Sequence, residues 1–296
     1  MNTAFWTKGL RILSLKISTA REFGHLYRRL DVYPKELDAM SDQQTKARDF
    51  RALHVPGRPL VLFNIWDVGS TKAVEKTGAK SIATGSWSVA AANGFDDGQR
   101  LPIEFAIENL ARIVAATQLP VSIDIESGYG DEPEAVGLTI QRTIAAGAIG
   151  CNLEDSYPEA GKLRDTAEQV ERIRHARRIA DRAGLPYFIN ARTDVFFQKP
   201  PHDHNDAMLK AAIERAHAYS VAGADGIFTP GLVNPEMITH LANTVQSPLN
   251  IMVGDNAPSF DALARAGVAR VSYGPGPYLM AMRALEEGAR RVFTPV

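Results

Sequence analysis

One pattern, repeated eight times from about residue 41 onward, constrains this chain more than any other feature. A short apolar run rich in β-branched residues is followed by a small polar cluster and then ten to twenty residues of helical periodicity. The predicted strands are 59–66, 81–86, 120–126, 150–154, 187–192, 226–230, 248–253 and 270–274, with helices over 103–117, 133–146, 165–183, 205–222 and 258–266. The joints repeat as well: EKTGAKSIA, AAGAIGCNL, VAGADGIF and RAGVARVS are near-copies of one helix–Gly–strand passage. Gly78, Gly147, Gly184, Gly223 and Gly267 stand where a helix ends on a left-handed residue. Eight such units in about 250 residues fit an α/β chain closed into a (β/α)₈ TIM-type barrel, whereas an open doubly wound sheet usually has five or six strands.

No linker or low-complexity stretch divides the repeat, so residues 41–296 read as a single catalytic barrel domain and residues 1–40 as an N-terminal helical extension. Residues 41–53 (SDQQTKARDFRAL) read as a helix capped by Ser41. Lys8, Arg11, Lys16 and Arg21 precede the first acid, Glu22, a bias open to reading as a transit peptide, but the apolar core and cleavage site of a secretory signal are missing.

Thirty-three Lys+Arg against 34 Asp+Glu leave a formal charge of −1, which gives no global field for nucleic acid or an anionic membrane. The apolar runs are far short of a membrane span. One cysteine, Cys151, excludes an intramolecular disulfide framework or a multi-cysteine metal site and fits a reducing compartment such as the cytoplasm.

In a (β/α)₈ barrel the chemistry sits where strands end. Here those positions carry Asn64, Trp66 and Asp67; Gly85, Ser86 and Trp87; Asp124 and Glu126; Glu154 and Asp155; Arg192 and Asp194; and Asp255. Asp124 and Glu126, two apart on a strand, share a face. Converging carboxylates repel unless a cation neutralises them, and a hard divalent ion that keeps several waters, Mg²⁺ or Mn²⁺, does so. The alternatives are salt bridges to basic side chains or helix capping. No G-x-G-x-x-G or G-x-x-x-x-G-K-[ST] follows a strand, so dinucleotide and P-loop readings fail.

Four segments, G-S-W-S-V-A…G-F-D-D-G (85–98), D-I-E-S-G-Y-G (124–130), N-L-E-D-S (152–156) and N-A-R-T-D (190–194), resemble in order and spacing the isocitrate lyase and phosphoenolpyruvate mutase family. The nearest look is its carboxyvinyl-carboxyphosphonate phosphonomutase-like branch. The resemblance implies a Mg²⁺-dependent barrel, homo-oligomeric and a tetramer in the family, acting on small di-anionic oxo acids through an enolate. It implies Asp124 as the metal ligand, with Asp97, Glu126 and Glu154 holding the metal's waters. Glu126 replaces an aspartate found in several members. Gly85 and Ser86 match backbone donors to the substrate, although a tight turn is the alternative. Arg192 matches a guanidinium that grips a substrate anion, although pairing with Asp194 or Glu154 is the alternative. Asn250 is a further candidate for a distal carboxylate.

The loop after the fourth strand departs from the lyases. SYPEAGKLRD (156–165) holds neither the cysteine nor the histidine of their Lys-Lys-Cys-Gly-His-type segment, and it lacks the Asn-Ser pair of the mutases. Cys151 begins a strand, at the bottom of the barrel, where it reads as a small core hydrophobe. A carbon–carbon lyase acting beside a 2-oxo acid is the expected activity, on an oxaloacetate-, alkylmalate- or methylisocitrate-like substrate. A P–C bond phosphonomutase and a non-catalytic oxo-acid-binding barrel are the alternatives. Tyr129, Tyr157 or water replaces the missing acid. Lys162 and Arg164 read as solvated loop charge or mobile anion binders. His202 and His204 read as a solvated loop, and Trp66 and Trp87 as pocket wall or packing.

Overall fold

The computed structural model describes residues 33–158, 161–254 and 256–293. The chain separates into two units, residues 1–42 and 43–296. Of the first, residues 33–42 are described; the basic N-terminal stretch lies outside the described residues, as does Asp255. Helix α1 (Tyr33–Ala52) begins eight residues before Ser41, which is an interior residue and not a cap. The reason is local: residues 35–52 contain no Gly or Pro, and Lys, Glu, Leu, Ala and Met on the near side of Ser41 all favour helix.

Eight strands follow: β1 (Leu60–Leu62), β2 (Ile82–Ala83), β3 (Val121–Asp124), β4 (Gly150–Glu154), β5 (Phe188–Arg192), β6 (Gly226–Phe228), β7 (Leu249–Met252) and β8 (Arg270–Ser272). All pair in parallel, in the order β1-β8-β7-β6-β5-β4-β3-β2. A single bridge between Ile65 and Thr84 joins the two ends, with Ile65 N–H donating to Ala83 O at 2.9 Å and Gly85 N–H to Ile65 O at 3.1 Å. The sheet thereby closes as the (β/α)₈ barrel that the repeat predicts.

The helices are α2 (Val68–Glu75), α3 (Ser86–Ala92), α4 (Ile103–Ala116), α5 (Pro133–Ala145), α6 (Thr166–Arg182), α7 (Asp206–Ala222), α8 (Pro235–Thr244), α9 (Phe260–Arg265) and α10 (Gly276–Phe293). Asp67, Asp165, Asn205, Asn234 and Ser259 cap five of them with side-chain oxygens. The five joint glycines all have positive φ, from +64° to +107°. At Gly223 a Cβ would also come within 2.8 Å of the Arg177 side chain, so both backbone and space call for glycine there.

Most strands are shorter than the sequence reading. In β1 the cause is Asn64, whose Oδ1 accepts from Tyr273 N–H (2.9 Å) and Gly274 N–H (3.0 Å) while Nδ2 donates to Thr84 O (3.1 Å). One buried carboxamide takes over from the ladder and ties the ends of β1, β2 and β8 together.

Apolar strand residues such as Ile123, Cys151, Leu153, Ile189, Ile227 and Val271 belong to the main core. The barrel interior is polar instead. Asn190 Nδ2 donates to Asn152 Oδ1 (2.9 Å) and Asn250 Oδ1 (3.1 Å), and Arg270 Nη2 reaches from β8 across to Asn152 Oδ1 on β4 (3.1 Å). Below them, His54 stacks on Phe188 at 4.1 Å and meets Phe50 edge-on. This packing plugs the barrel's bottom. Among the described residues no helix is long and apolar enough to cross a membrane.

Candidate active site

The site grows from the ends of β3, β4 and β5. β3 stops at Asp124, whose N–H donates to Thr84 Oγ1 (3.0 Å) and whose Oδ2 accepts from Ser86 Oγ (3.2 Å). The sequence reading continues the strand to Glu126 and relies on strand alternation to put both acids on one face. That geometry is absent: Asp124 Oδ1 accepts from Glu126 N–H (3.1 Å) and Glu126 adopts φ +51°. A turn capped by the Asp124 side chain replaces the ladder. Glu126 still reaches the same place, where its Oε2 accepts from Gln99 N–H at 2.5 Å. Gln99 (φ +61°) and Tyr129 (φ +56°) are the other non-glycine residues of left-handed backbone among those described. All three lie on this one wall, strained where the surroundings over-determine them.

Strand register supplies the opposite wall. Glu154 on β4 pairs with Arg192 on β5, which pairs in turn with Phe228 on β6. Arg192 Nη1 meets Glu154 Oε2 at 2.7 Å, and its Nε and Nη2 meet the two Asp194 oxygens at 2.6 and 3.0 Å. Both partners left open by the sequence are therefore engaged. Asp194 is held by Ser156 Oγ (2.7 Å), and its N–H donates to the fully buried Asp155, which also accepts from Arg215 and Tyr219.

A cavity of about 230 Å³ opens between these walls, lined by Gly85, Ser86, Asp97, Asp124, Asn152 and Arg192 on one side. Glu126, Glu154 and Asp194 line an adjoining hollow of about 310 Å³ with Asp97 and Arg192. Five carboxylates thus face one guanidinium among the described lining residues. The crowding has an electrostatic signature. Burial, then Asp97 and Asp124, push the Glu126 carboxyl up to about 7. Burial and Asp124 raise Asp97, and burial raises Glu154 against the pull of Arg192. Tyr129 is held in its neutral form by burial and by the Glu126 charge, to which its hydroxyl is hydrogen-bonded.

Other expectations change. Asn250 does not line the cavity; it lies a layer deeper, its amide nitrogen donating to Ser272 Oγ and Arg270 O, because β7 ends two residues later. Gly85 N–H is committed to Ile65 O, which leaves the first turn of α3, without a side-chain cap, as the backbone donor. Tyr157 donates to Glu168 Oε2 (2.8 Å) and is unavailable as an acid. Arg164 is neither solvated nor mobile: it is fully buried, paired to Asp131 and Glu168 and stacked on Tyr157. Trp87 lines the cavity, whereas Trp66 packs edge-on against Tyr278. His202 is exposed, as a solvated loop requires, whereas His204 is half-buried, hydrogen-bonded to Phe196 O and packed edge-on against the Phe196 ring. Cys151 is buried and its thiol is pushed up to about 12 by desolvation.

Sequence reasoning missed Asn152, Gln99, Phe197 and Phe228. Asn152 was accessible, since it stands two residues before Glu154 on the same face of β4. Gln99 was not, because it lies far along the chain from the turn after β3 that its backbone N–H and side-chain amide hold at Glu126, Ser127 and Tyr129.

Among the described residues no three His, Cys, Asp or Glu side chains close on one point as an all-protein metal cage. Asp97, Asp124, Glu126 and Glu154 supply hard carboxylate oxygens around these hollows, a donor chemistry that would suit a divalent ion such as Mg²⁺ or Mn²⁺ keeping most of its waters.

Known proteins share this arrangement of chain. The family model described as phosphoenolpyruvate phosphomutase matches residues 50–293. A crystal structure from Burkholderia cenocepacia J2315, provisionally described as a phosphonomutase, is 52% identical with a TM-score of 0.82, covering 84% of this chain and 99% of that one. An uncharacterized protein of Mycobacterium tuberculosis is 36% identical over 244 residues, 82% of this chain and 88% of the relative. The 2-methylisocitrate lyase of Escherichia coli is 29% identical over 256 residues, 82% of each.

Proposed function

Because this chain belongs to the isocitrate lyase and phosphoenolpyruvate mutase family, we propose that it is a divalent-cation-dependent carbon–carbon lyase that makes or breaks a bond beside a 2-oxo acid. The observation that carries the reading is the gathering of Asp97, Asp124, Glu126, Glu154 and Asp194 around a cavity and its adjoining hollow, with Arg192 the one basic residue among the described lining residues. Asp124 would hold Mg²⁺ or Mn²⁺ directly, with Asp97, Glu126 and Glu154 holding its waters. When bound, such an ion supplies Lewis-acid stabilisation of the negative charge that develops on an oxo acid's oxygen as the neighbouring bond breaks.

The chain's own residues do the rest. Ser86 Oγ donates to the Asp124 carboxylate, and Thr84 Oγ1 accepts from the Asp124 backbone N–H, which holds the residue in place. Arg192, locked by Glu154 and Asp194, presents its remaining N–H groups to a substrate oxygen in one orientation. Glu126, with the neutral Tyr129 behind it, is the carboxyl whose surroundings favour a proton near pH 7 in the metal-free chain. The β4 loop, pinned by Arg164 and by Gln198 Nε2 to Gly161 O (2.8 Å), lines the adjoining hollow with Tyr157, Pro158 and Gly161. The exposed apolar side chains of α10 (Met280, Leu285, Val292, Phe293) support a homo-oligomer.

The test is exchange of pyruvate methyl protons into deuterated water, followed by NMR. Exchange that needs Mg²⁺ or Mn²⁺ is expected; its absence with both metals leaves an oxo-acid-binding barrel. The phosphonomutase reading draws on the 52% identical Burkholderia protein. Phosphorus NMR with phosphonopyruvate tests it.

A further inference from the structure

The floor of the cavity beside Asp124 is made by Asn152 of β4 and Ser272 of β8, side chains from opposite sides of the barrel. Both are buried, and both are oriented from beneath. Asn152 Oδ1 accepts from Arg270 Nη2 (3.1 Å) and from Asn190 Nδ2 (2.9 Å). A guanidinium only donates, so the Asn152 atom that faces Arg270 is the oxygen, and the amide nitrogen is turned the other way. Ser272 Oγ accepts from Asn250 Nδ2 (3.1 Å), which engages a lone pair and leaves the hydroxyl hydrogen. Among the described residues neither the Asn152 amide nitrogen nor the Ser272 hydroxyl donates a hydrogen bond, and both residues border the cavity. The floor therefore holds two neutral donors without acceptors.

Arg270 adds charge under this floor. It is 1% exposed, and its Nε and Nη1 have no partner among the described residues. An unpaired buried guanidinium costs stability that apolar packing of similar volume would not. The carboxylate whose charge it feels is Asp124, at the cavity itself. In so dry a setting its field favours an anion on the floor above. At the mouth, Arg192 and the exposed Lys162 of the neighbouring loop remain for a further anionic group of a di-anionic substrate.

We infer that this floor is a carboxylate subsite: Asn152 Nδ2 and the Ser272 hydroxyl donate to a carboxylate oxygen of the oxo acid, while Arg270 is a positioning residue that fixes the Asn152 amide and supplies countercharge from below. The inference rests on the proposed binding of an oxo acid beside Asp124.

Calorimetry with Mg²⁺ compares pyruvate binding to the parent chain, Ser272→Ala and Arg270→Met, with thermal melting alongside. Ser272→Ala should weaken pyruvate about tenfold, the loss of one hydrogen bond to a charged group, while Mg²⁺ alone binds as in the parent. Arg270→Met should weaken pyruvate about tenfold or more and leave the melting temperature unchanged or raised, because an apolar side chain replaces a buried unpaired charge. A lower melting temperature with unchanged pyruvate affinity would make Arg270 structural and overturn its role. If Arg270→Met does not fold, Ser272→Ala decides alone. If Ser272→Ala binds pyruvate as the parent does, or loses Mg²⁺ affinity in step with pyruvate, the floor subsite is overturned while the oxo-acid reading stands. If the parent chain binds no pyruvate with Mg²⁺, the oxo-acid reading itself falls, and the floor subsite with it.

Discussion

The mouth of the barrel and the polar layer beneath it are both made of buried hydrophilic side chains, yet they are electrostatic opposites. In the lower layer Asn152, Asn190 and Asn250 satisfy one another, and the charge present is the cation of Arg270, held down to about 9 by burial. In the mouth, carboxylates outnumber the single guanidinium, and Glu126 is held near neutrality. The asparagines' polarity is spent on internal hydrogen bonds that hold strands together, while Arg270 Nε and Nη1 have no protein partner among the described residues. The mouth's polarity is left unbalanced and is completed by what binds. The two levels touch at Asn152, which lines the cavity and accepts from Asn190 and Arg270.

Removing a charge from the mouth should abolish function and spare the fold. Asp124→Ala is expected to lower metal-dependent proton exchange at least a hundredfold, with Mg²⁺ heat lost in calorimetry and the melting temperature unchanged or raised, since a like charge is gone. Retention of Mg²⁺ affinity would remove Asp124 as the ligand.

The layer should respond the other way. Asn190→Leu breaks both bonds of that carboxamide, removing the Asn190 donor from the Asn250 oxygen and leaving Asn152 Oδ1 with Arg270 alone. A loss of about 2–4 kcal/mol in denaturant unfolding follows, with Mg²⁺ affinity changed far less than by Asp124→Ala. Equal losses in both measurements would mean the two levels are one unit.

A pH series sharpens the contrast. The folded Glu126 carboxyl sits at about 7 against an ordinary 4.5, so the folded chain binds that proton more tightly. Its contribution to metal-free stability is fully present below pH 4.5 and is lost as pH rises through 7, about 3 kcal/mol in all. Glu126→Gln should remove that slope, and saturating Mg²⁺ should flatten it in the parent protein. Melting curves across pH 4–8 that coincide for parent and variant would contradict this origin.

The smallest effect is expected at Cys151, away from both levels. Cys151→Ser should keep its exchange rate within about twofold while losing roughly 1–2 kcal/mol of stability through a buried hydroxyl. Thiol-directed inactivation that substrate blocks and the serine variant lacks would restore a cysteine-dependent mechanism.

Local signals carried the architecture. The helix–Gly–strand joints at Gly78, Gly147, Gly184, Gly223 and Gly267 are short-range, and each has the backbone its position demands. Asp124, Glu126, Glu154 and Arg192 were legible because a barrel sends strand ends to one mouth, so sequence position names the rim, whereas Asp97, beyond the helix that follows β2, was named only through the family resemblance. Ser41 went wrong for the converse reason, since a capping residue type is compatible with a helix interior when nothing upstream stops the helix.

The amino-acid sequence by itself thus determined the eight-unit repeat, the closure it implies and the acids at the strand ends, because periodicity and turn chemistry act over a few residues. Tertiary structure alone decided which of those polar groups stay unmatched. Arg164 and Asp155 look as available to a ligand as Asp124 along the chain. Arg164 is neutralised by Asp131, 33 residues away, and Asp155 by Arg215, 60 residues away. Whether a buried charge is free to act depends on distances between such remote partners, and Coulomb energy follows separation in space and not in sequence.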